Sequence, residues 1–289
     1  MGVALNLPVP DETRVRLLKL KEIPPPPALS RELIRLAGDE EAEILDVIKV
    51  VQQSPELASL VLNWANSAYY GERNKVTSVK DAIIRVLGLA ASKSLLLAVS
   101  LTSTFDARKI PFFPLEKHWF LSVSTAAIAQ SLASRLTVPE PLATGTVYSA
   151  GLLHNLGMLG LVHVFPAELK AVFFGDPNLS LNVRVHQILG ISPSLAGAWL
   201  GKRWGLPEEL VNTLNFHDDC SYEGDHWPLV RLVGLASKLA ECHFDGKNLS
   251  DLSSEFPFEG LVRIGDIFTA VSQLEDRLGE LKTFAQFLM

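Results

Sequence analysis

The chain has 289 residues, enough for one large or two modest domains, and its 48% hydrophobic against 20% charged residues supports a sizeable buried core. Net charge is -6 and the pI about 5.7, which argues against general nucleic-acid binding, since that relies on many Lys and Arg contacts to phosphate. Cys220 and Cys242 are the only cysteines, too few for a thiolate cage and at no zinc-motif spacing; they read as two reduced side chains, with a disulfide as the alternative.

The opening "MGVALNLPVPDETRVR" has no basic start and no long apolar core, so it is not a signal peptide, and Leu5 and Asn6 do not supply the context for myristoylation. The apolar runs are expected to fall short of a membrane span, and the protein is expected to be cytoplasmic. Periodicity is helical almost throughout. Leu17, Leu18 and Leu20 suggest a short first helix, ended by Pro24 to Pro27, which favour an extended polyproline segment. Helices come next at Leu29 to Leu36 and at Ala42 to Gln53, the second with Ile44, Val47, Ile48 and Val51 on one face. In "SPELASLVLNWANSAYYG", Ser54 is a cap, Pro55 fits the first helical position, and Leu57, Leu60, Val61 and Trp64 form an apolar stripe that exits at Gly71. Ser78 with Asp81 makes a capping-box pattern, and Gly88 is expected to stop that helix before another at Ser92 to Thr104.

"FDARKIPFFPLEKHW", with Pro111 and Pro114, reads as a joint between subdomains. Helices are then predicted at Leu115 to Leu136, Leu142 to Leu153, Gly157 to Val164 and Pro166 to Phe174. "ISPSLAGAWLGKRWGLPEEL" holds two more, one opened by Ser192 and Pro193, the other by Pro207 with Glu208 and Glu209 near the positive end of the dipole. Trp227 to Cys242 is another. After the polar loop "FDGKNLSDLSSEFPFEG", the tail places Ile267, Val271, Leu274, Leu278, Leu281, Ala285 and Leu288 at alternating spacings of four and three. This is either a last helix docked on its own domain or a dimerising helix. No strand-type alternation is sustained and no internal repeat is evident, so the fold class is all-α, a multi-helix bundle.

Four stretches carry a resemblance: "IPPPPALSRELIRLAGD", "VIKVVQQSPELASLVLNWANSAYYGERNKVTSVKDAIIRVLG", "AGLLHNLGMLGL" and "GAWLGKRWGLPEELVNTLNFHDD". Together, over roughly Ile23 to Glu241, they resemble the HDOD family, a non-standard branch of the HD-domain metal phosphohydrolase superfamily. The resemblance implies an N-terminal extension over 1–22, a helical HDOD subdomain over 23–105, an HD-like helical subdomain over 106–245, and a loop with an amphipathic helix over 246–289. It also implies a bacterial signalling protein, regulatory rather than enzymatic, whose protein partners belong to two-component or cyclic-dinucleotide signalling. No membrane and no direct nucleic-acid partner is implied. No fused receiver or cyclase domain is expected, so those partners are expected in trans, and a homodimer through the C-terminal helix is the further expectation.

An HD phosphohydrolase holds one or two divalent metals between His nitrogens and Asp oxygens, and the metal activates a water and clamps phosphate. Carried onto this chain residue by residue, the first His position is Leu121, with His118 one turn earlier; the His-Asp pair is His154-Asn155; a further His position is Pro193; and the terminal Asp position is Ser237. Asn155 ligates a metal weakly and supplies no charge. Only His154 and the late His217 remain, so the pocket is expected to be vestigial, with no catalytic residue, no metal and no cofactor. His118, His154, His217 and Asp218 would have to regroup around Fe, Mn, Mg or Ni for the alternative, a phosphohydrolase acting on a nucleotide or cyclic dinucleotide. His217-Asp218-Asp219 reads more simply as a helix-end His with solvated acids, and His154 as a buried His bonded to a backbone carbonyl or to Asn155. Trp199, Trp204 and Pro207 are expected to build the core around the pocket. Lys202, Arg203 and Arg231 are candidate phosphate contacts for a nucleotide sensor. No nucleophile elbow or phosphate loop is present.

Overall fold

Helix-start chemistry organises the chain from its first turns. The computed structural model describes residues 11–39, 41–71, 75–105, 110–138, 141–176, 179–247, 257–258 and 260–289. The opening ten residues, part of the proline-containing joint and most of the polar loop lie outside these. Among the described residues 71% are helical and no strand occurs.

Helix α1 (Asp11–Lys19) passes through a 3-10 turn at Leu20–Glu22 into the extended prolines. Then come α2 (Ala28–Ala37), α3 (Ile44–Gln52) and α4 (Pro55–Ala65). The cap at Ser54 is realised: its hydroxyl accepts from the Leu57 amide at 3.2 Å, worth about 1 kcal/mol. Ser78 likewise accepts from the Asp81 amide at 3.0 Å. The helix opened there runs from α5 (Val79–Asp81) through a wide π-type segment, Ala82–Leu87, and Gly88 caps it as expected; α6 (Gly88–Thr102) then starts at once. Gly88 sits at φ 76°, which lets the chain change course without a loop.

The second half holds α7 (Leu115–Ala133), α8 (Thr144–Leu153), α9 (Leu156–Val164), α10 (Pro166–Phe173), α11 (Leu181–Leu189), α12 (Pro193–Trp204), α13 (Glu208–Phe216), α14 (Trp227–Phe244), α15 (Ile264–Glu275) and α16 (Leu278–Gln286). The sequence reading has no counterpart to α11. α7 is the central post: α8, α14, α15 and α16 all pack on it, and α6 packs on the far side of α8. Two glycines permit close crossings. A Cβ on Gly151 would lie 2.6 Å from the Ala126 Cα, and one on Gly157 1.9 Å from the Pro193 carbonyl oxygen. These contacts draw α8 onto α7 and α9 onto α12.

The C-terminal apolar seam is used within the chain. Ile267, Val271, Leu274, Leu281, Ala285 and Leu288 are all buried, and α15 and α16 are separate helices broken near Asp276. Of the two readings of this seam, the docked last helix is the one seen: it faces α7 of its own chain. Phe284 stacks on Tyr69 at 4.9 Å and meets Tyr70 edge-on, tying α16 to the "ANSAYYG" stretch. Two runs, Val79–Thr102 and Thr144–Val164, are long and apolar enough to cross a membrane by length and composition, contrary to the expectation that all fall short. Both supply the core: half of the first and most of the second are buried inside the bundle.

Candidate functional site

His154 caps the C-terminus of α8, and His217 caps that of α13. The packing of α8, α13 and α14 brings the two rings edge to face, 5.2 Å between centroids. Both are buried, at 2% and 3% exposure. His154 Nδ1 lies 2.7 Å from the Gly151 carbonyl oxygen, which can only accept, so Nδ1 carries the hydrogen. Nε2 is then an acceptor, and two donors occupy it: the Asn155 amide nitrogen at 2.9 Å and the Ser237 hydroxyl at 3.1 Å. Burial pushes the pKa of His154 down to about 3, aided by His217 and opposed by the Gly151 hydrogen bond. The ring is neutral at physiological pH.

His217 donates through Nδ1 to the Thr213 carbonyl, 3.0 Å away, leaving Nε2 3.8 Å from Asp218. The expectation of a solvated acid is corrected at Asp218. Its Oδ2 accepts from Ser194 and from Asn182, each at 2.8 Å, and Lys238 stands 3.9 Å from Oδ1. Burial works to raise this carboxyl, but His217, Lys238 and the Ser194 hydrogen bond outweigh it and hold it below its ordinary value. Asp219 does behave as read, closing a turn through Ser221.

The other candidates disperse. Ser237 is where the terminal acidic position was expected, against His154. Leu121 is half-buried and apolar. Pro193 opens α12 and packs its carbonyl against Gly157. His118 is buried between Phe113 and Trp119, where burial brings its pKa down to about 4; it influences His154 only through space. Trp199 and Trp204 do not surround the imidazoles. Trp204 packs on Phe105, and Trp199 lies under the Arg203 guanidinium at 5.5 Å. Five residues separate Ser194 from Trp199, which at 3.6 residues per turn turns the indole about 140° away from the pocket. Pro207 lines a separate cleft. Arg203 is spent on the carbonyls of Leu20, Lys21 and Ile23 and is no spare phosphate contact, while Arg231 reaches the Pro257 carbonyl and lies over Trp227.

The sequence reading missed Asn182, Ser194 and Lys238. Each had a signal: Asn182 comes two residues after a capping Ser180, Ser194 comes directly after the Ser192-Pro193 start, and Lys238 adjoins Ser237 on the same helix.

The donor set does not fit a divalent metal. Asn155 and Ser237 present hydrogens to Nε2, the atom that would bind, and the one nearby carboxylate is matched by Lys238. Among the described residues, no three His, Cys, Asp or Glu groups are placed to hold an ion. The outer hydrogen-bond shell of a metal site does persist, since both imidazoles are oriented by Nδ1–H to carbonyl bonds.

The all-α bundle is shared with a solved HDOD domain protein of Geobacter sulfurreducens, at TM-score 0.76 and 23% identity over 96% of this chain and 99% of that one. The HDOD domain matches residues 23–220, and the chain belongs to that family. It is similar to a protein of Marinobacter aquaeolei VT8 classed with signal transduction: TM-score 0.81 and 25% identity, over 99% of this chain and 68% of that one. It also shares the fold of a protein of Shewanella amazonensis SB2B classed as a phosphohydrolase, at TM-score 0.76 and 24% identity, over 95% of this chain and 98% of that one. An uncharacterized protein of Treponema pallidum (strain Nichols) is 27% identical over 252 residues, 85% of this chain. The chain spans only 45% of that relative's length.

Proposed function

We propose that this chain is a non-catalytic regulatory module of bacterial signal transduction, a scaffold or ligand sensor built on a former metal pocket. The observation that carries this reading is the pair of donors, Asn155 and Ser237, on the one imidazole nitrogen that would face a metal. The ammonium of Lys238 supplies beside Asp218 the electrostatic balance that a cation would otherwise provide. Its partners are proteins of two-component or cyclic-dinucleotide signalling, met in the cytoplasm.

A second reading is a metal-dependent phosphohydrolase acting on a nucleotide or cyclic dinucleotide. The preserved orientation of both imidazoles and the phosphohydrolase class of one structural neighbour favour it. Elemental analysis of the purified protein, with a phosphodiesterase assay in added Mn or Fe, separates the two. The scaffold reading expects no stoichiometric metal and no metal-dependent turnover. Stoichiometric iron or manganese accompanied by turnover overturns it.

A further inference from the structure

A concavity lies at the opposite ends of the two helices that carry the imidazoles. α8 starts at its rim and reaches His154 ten residues on, about 15 Å away at 1.5 Å per residue. α13 likewise starts there, at Pro207, and ends at His217. The cleft has a volume of about 490 Å³, within the range of roughly 300–1,000 Å³ typical of small-molecule sites. Its walls come from the end of α2 and the start of α6 on one side, and from α8 and α13 on the other. Such junctions between halves of a fold are common places for ligands.

Three charged side chains line it: Asp39, Lys93 and Glu209. Asp39 is engaged, its carboxylate turned to Arg35 at 3.3 Å and to the Glu41 amide at 3.1 Å. Lys93 spends one of its three hydrogens, on the Asp39 carbonyl at 3.0 Å. Glu209 is half-buried. Among the described residues, neither Lys93 nor Glu209 enters an ion pair. At the wall between them, Ser94 and Ser149 bond to each other at 2.6 Å, and Thr146 adds a hydroxyl.

We propose that this cleft binds a small organic acid, phosphorylated or carboxylated, with the Lys93 ammonium on its anionic group and the Glu209 carboxylate on an N–H or O–H donor of the same molecule. Burial pulls the pKa of Lys93 down while Asp39 acts against it, so an anion seated beside the ammonium relieves a desolvation already incurred. The proposal stands whether or not the imidazole pocket is catalytically silent.

Calorimetric titration and amide-resolved NMR with ribose 5-phosphate, adenosine monophosphate, L-glutamate and inorganic phosphate test it. An organic probe is expected to bind, with shifts at the Gly38 and Gly145 amides; the sugar-phosphate and glutamate arms tell which acid is preferred. Lys93→Met is expected to weaken that binding roughly tenfold or more, while Lys170→Met, exposed on α10, leaves it unchanged. Should Lys93→Met fail to fold, Glu209→Gln gives the same test on the other charge. Failure of all four probes at millimolar concentration, affinity indifferent to both substitutions, or shifts confined to the imidazoles overturns the proposal.

Discussion

Replacing Asn155 with Asp restores the His-Asp pair in sequence but removes the hydrogen bond that joins this side chain to the imidazole. The Asn155 amide nitrogen donates to His154 Nε2 at 2.9 Å, while Nδ1 is committed to the Gly151 carbonyl at 2.7 Å. A carboxylate in that place turns an acceptor toward an acceptor. Ser237 still donates to Nε2 at 3.1 Å, so one hydrogen bond survives. The loss is therefore one buried hydrogen bond plus a poorly satisfied carboxylate, about 1–3 kcal/mol. For a chain of this length this corresponds to a melting-temperature drop of roughly 2–5 °C. A proton shared between Asp and imidazole removes the conflict. The mutant pair thus binds a proton more readily than wild-type His154, whose pKa lies near 3. The destabilisation relative to wild type should be largest near pH 8 and shrink toward about pH 5.5. Urea unfolding at both pH values, with elemental analysis of the same preparations, measures this. No metal uptake is expected, because Leu121, Pro193 and Ser237 still offer no charged ligand. A variant as stable as wild type at pH 8 that takes up stoichiometric manganese would refute the reasoning: the pocket would then be a metal site lacking one ligand.

Two more outcomes are expected. The wild-type protein should be acid-labile, because His154 and His118, held near 3 and 4 when folded, return to about 6.5 on unfolding. The unfolded chain then binds more protons between about pH 6.5 and 4, and stability falls with falling pH by up to about 2.7 kcal/mol per unit. Urea midpoints should show it, His118→Phe should shrink the slope, and a flat profile from about pH 7 to 5 would contradict the burial of both rings. Gly157→Ala should be strongly destabilising, by about 1–3 kcal/mol or more, since its methyl would lie 1.9 Å from the Pro193 carbonyl oxygen and 2.3 Å from the Gly197 nitrogen. Gly279→Ala, in α16 with open space around it, should be neutral or slightly stabilising, and equal melting temperatures for the two variants would refute the close crossing.

Local chemistry made most helices readable. Ser54 and Ser78 cap as their spacing indicates, because a cap needs only its own next turn. α11 was missed although it carries both punctuation marks, Ser180 on the Val183 amide and Gly190 at φ 63°. Only Val185 and Leu189 are buried along it, so its apolar stripe is too narrow to stand out. Gly88 acts as the expected stop signal, at φ 76°, but the sequence does not show that the next helix starts there with no loop between.

The sequence by itself determined the helical class and the family, since these depend on residue identity in a local pattern. Only the tertiary structure decided which groups meet His154 and Asp218 and what covers each apolar face. Asn182, Ser194 and Lys238 reach Asp218 from three separate helices, and no spacing in the sequence encodes that meeting. The heptad-like tail obeys the same limit. Its periodicity specifies that one face must be buried, but the packing on α7, and not the pattern, specifies against what.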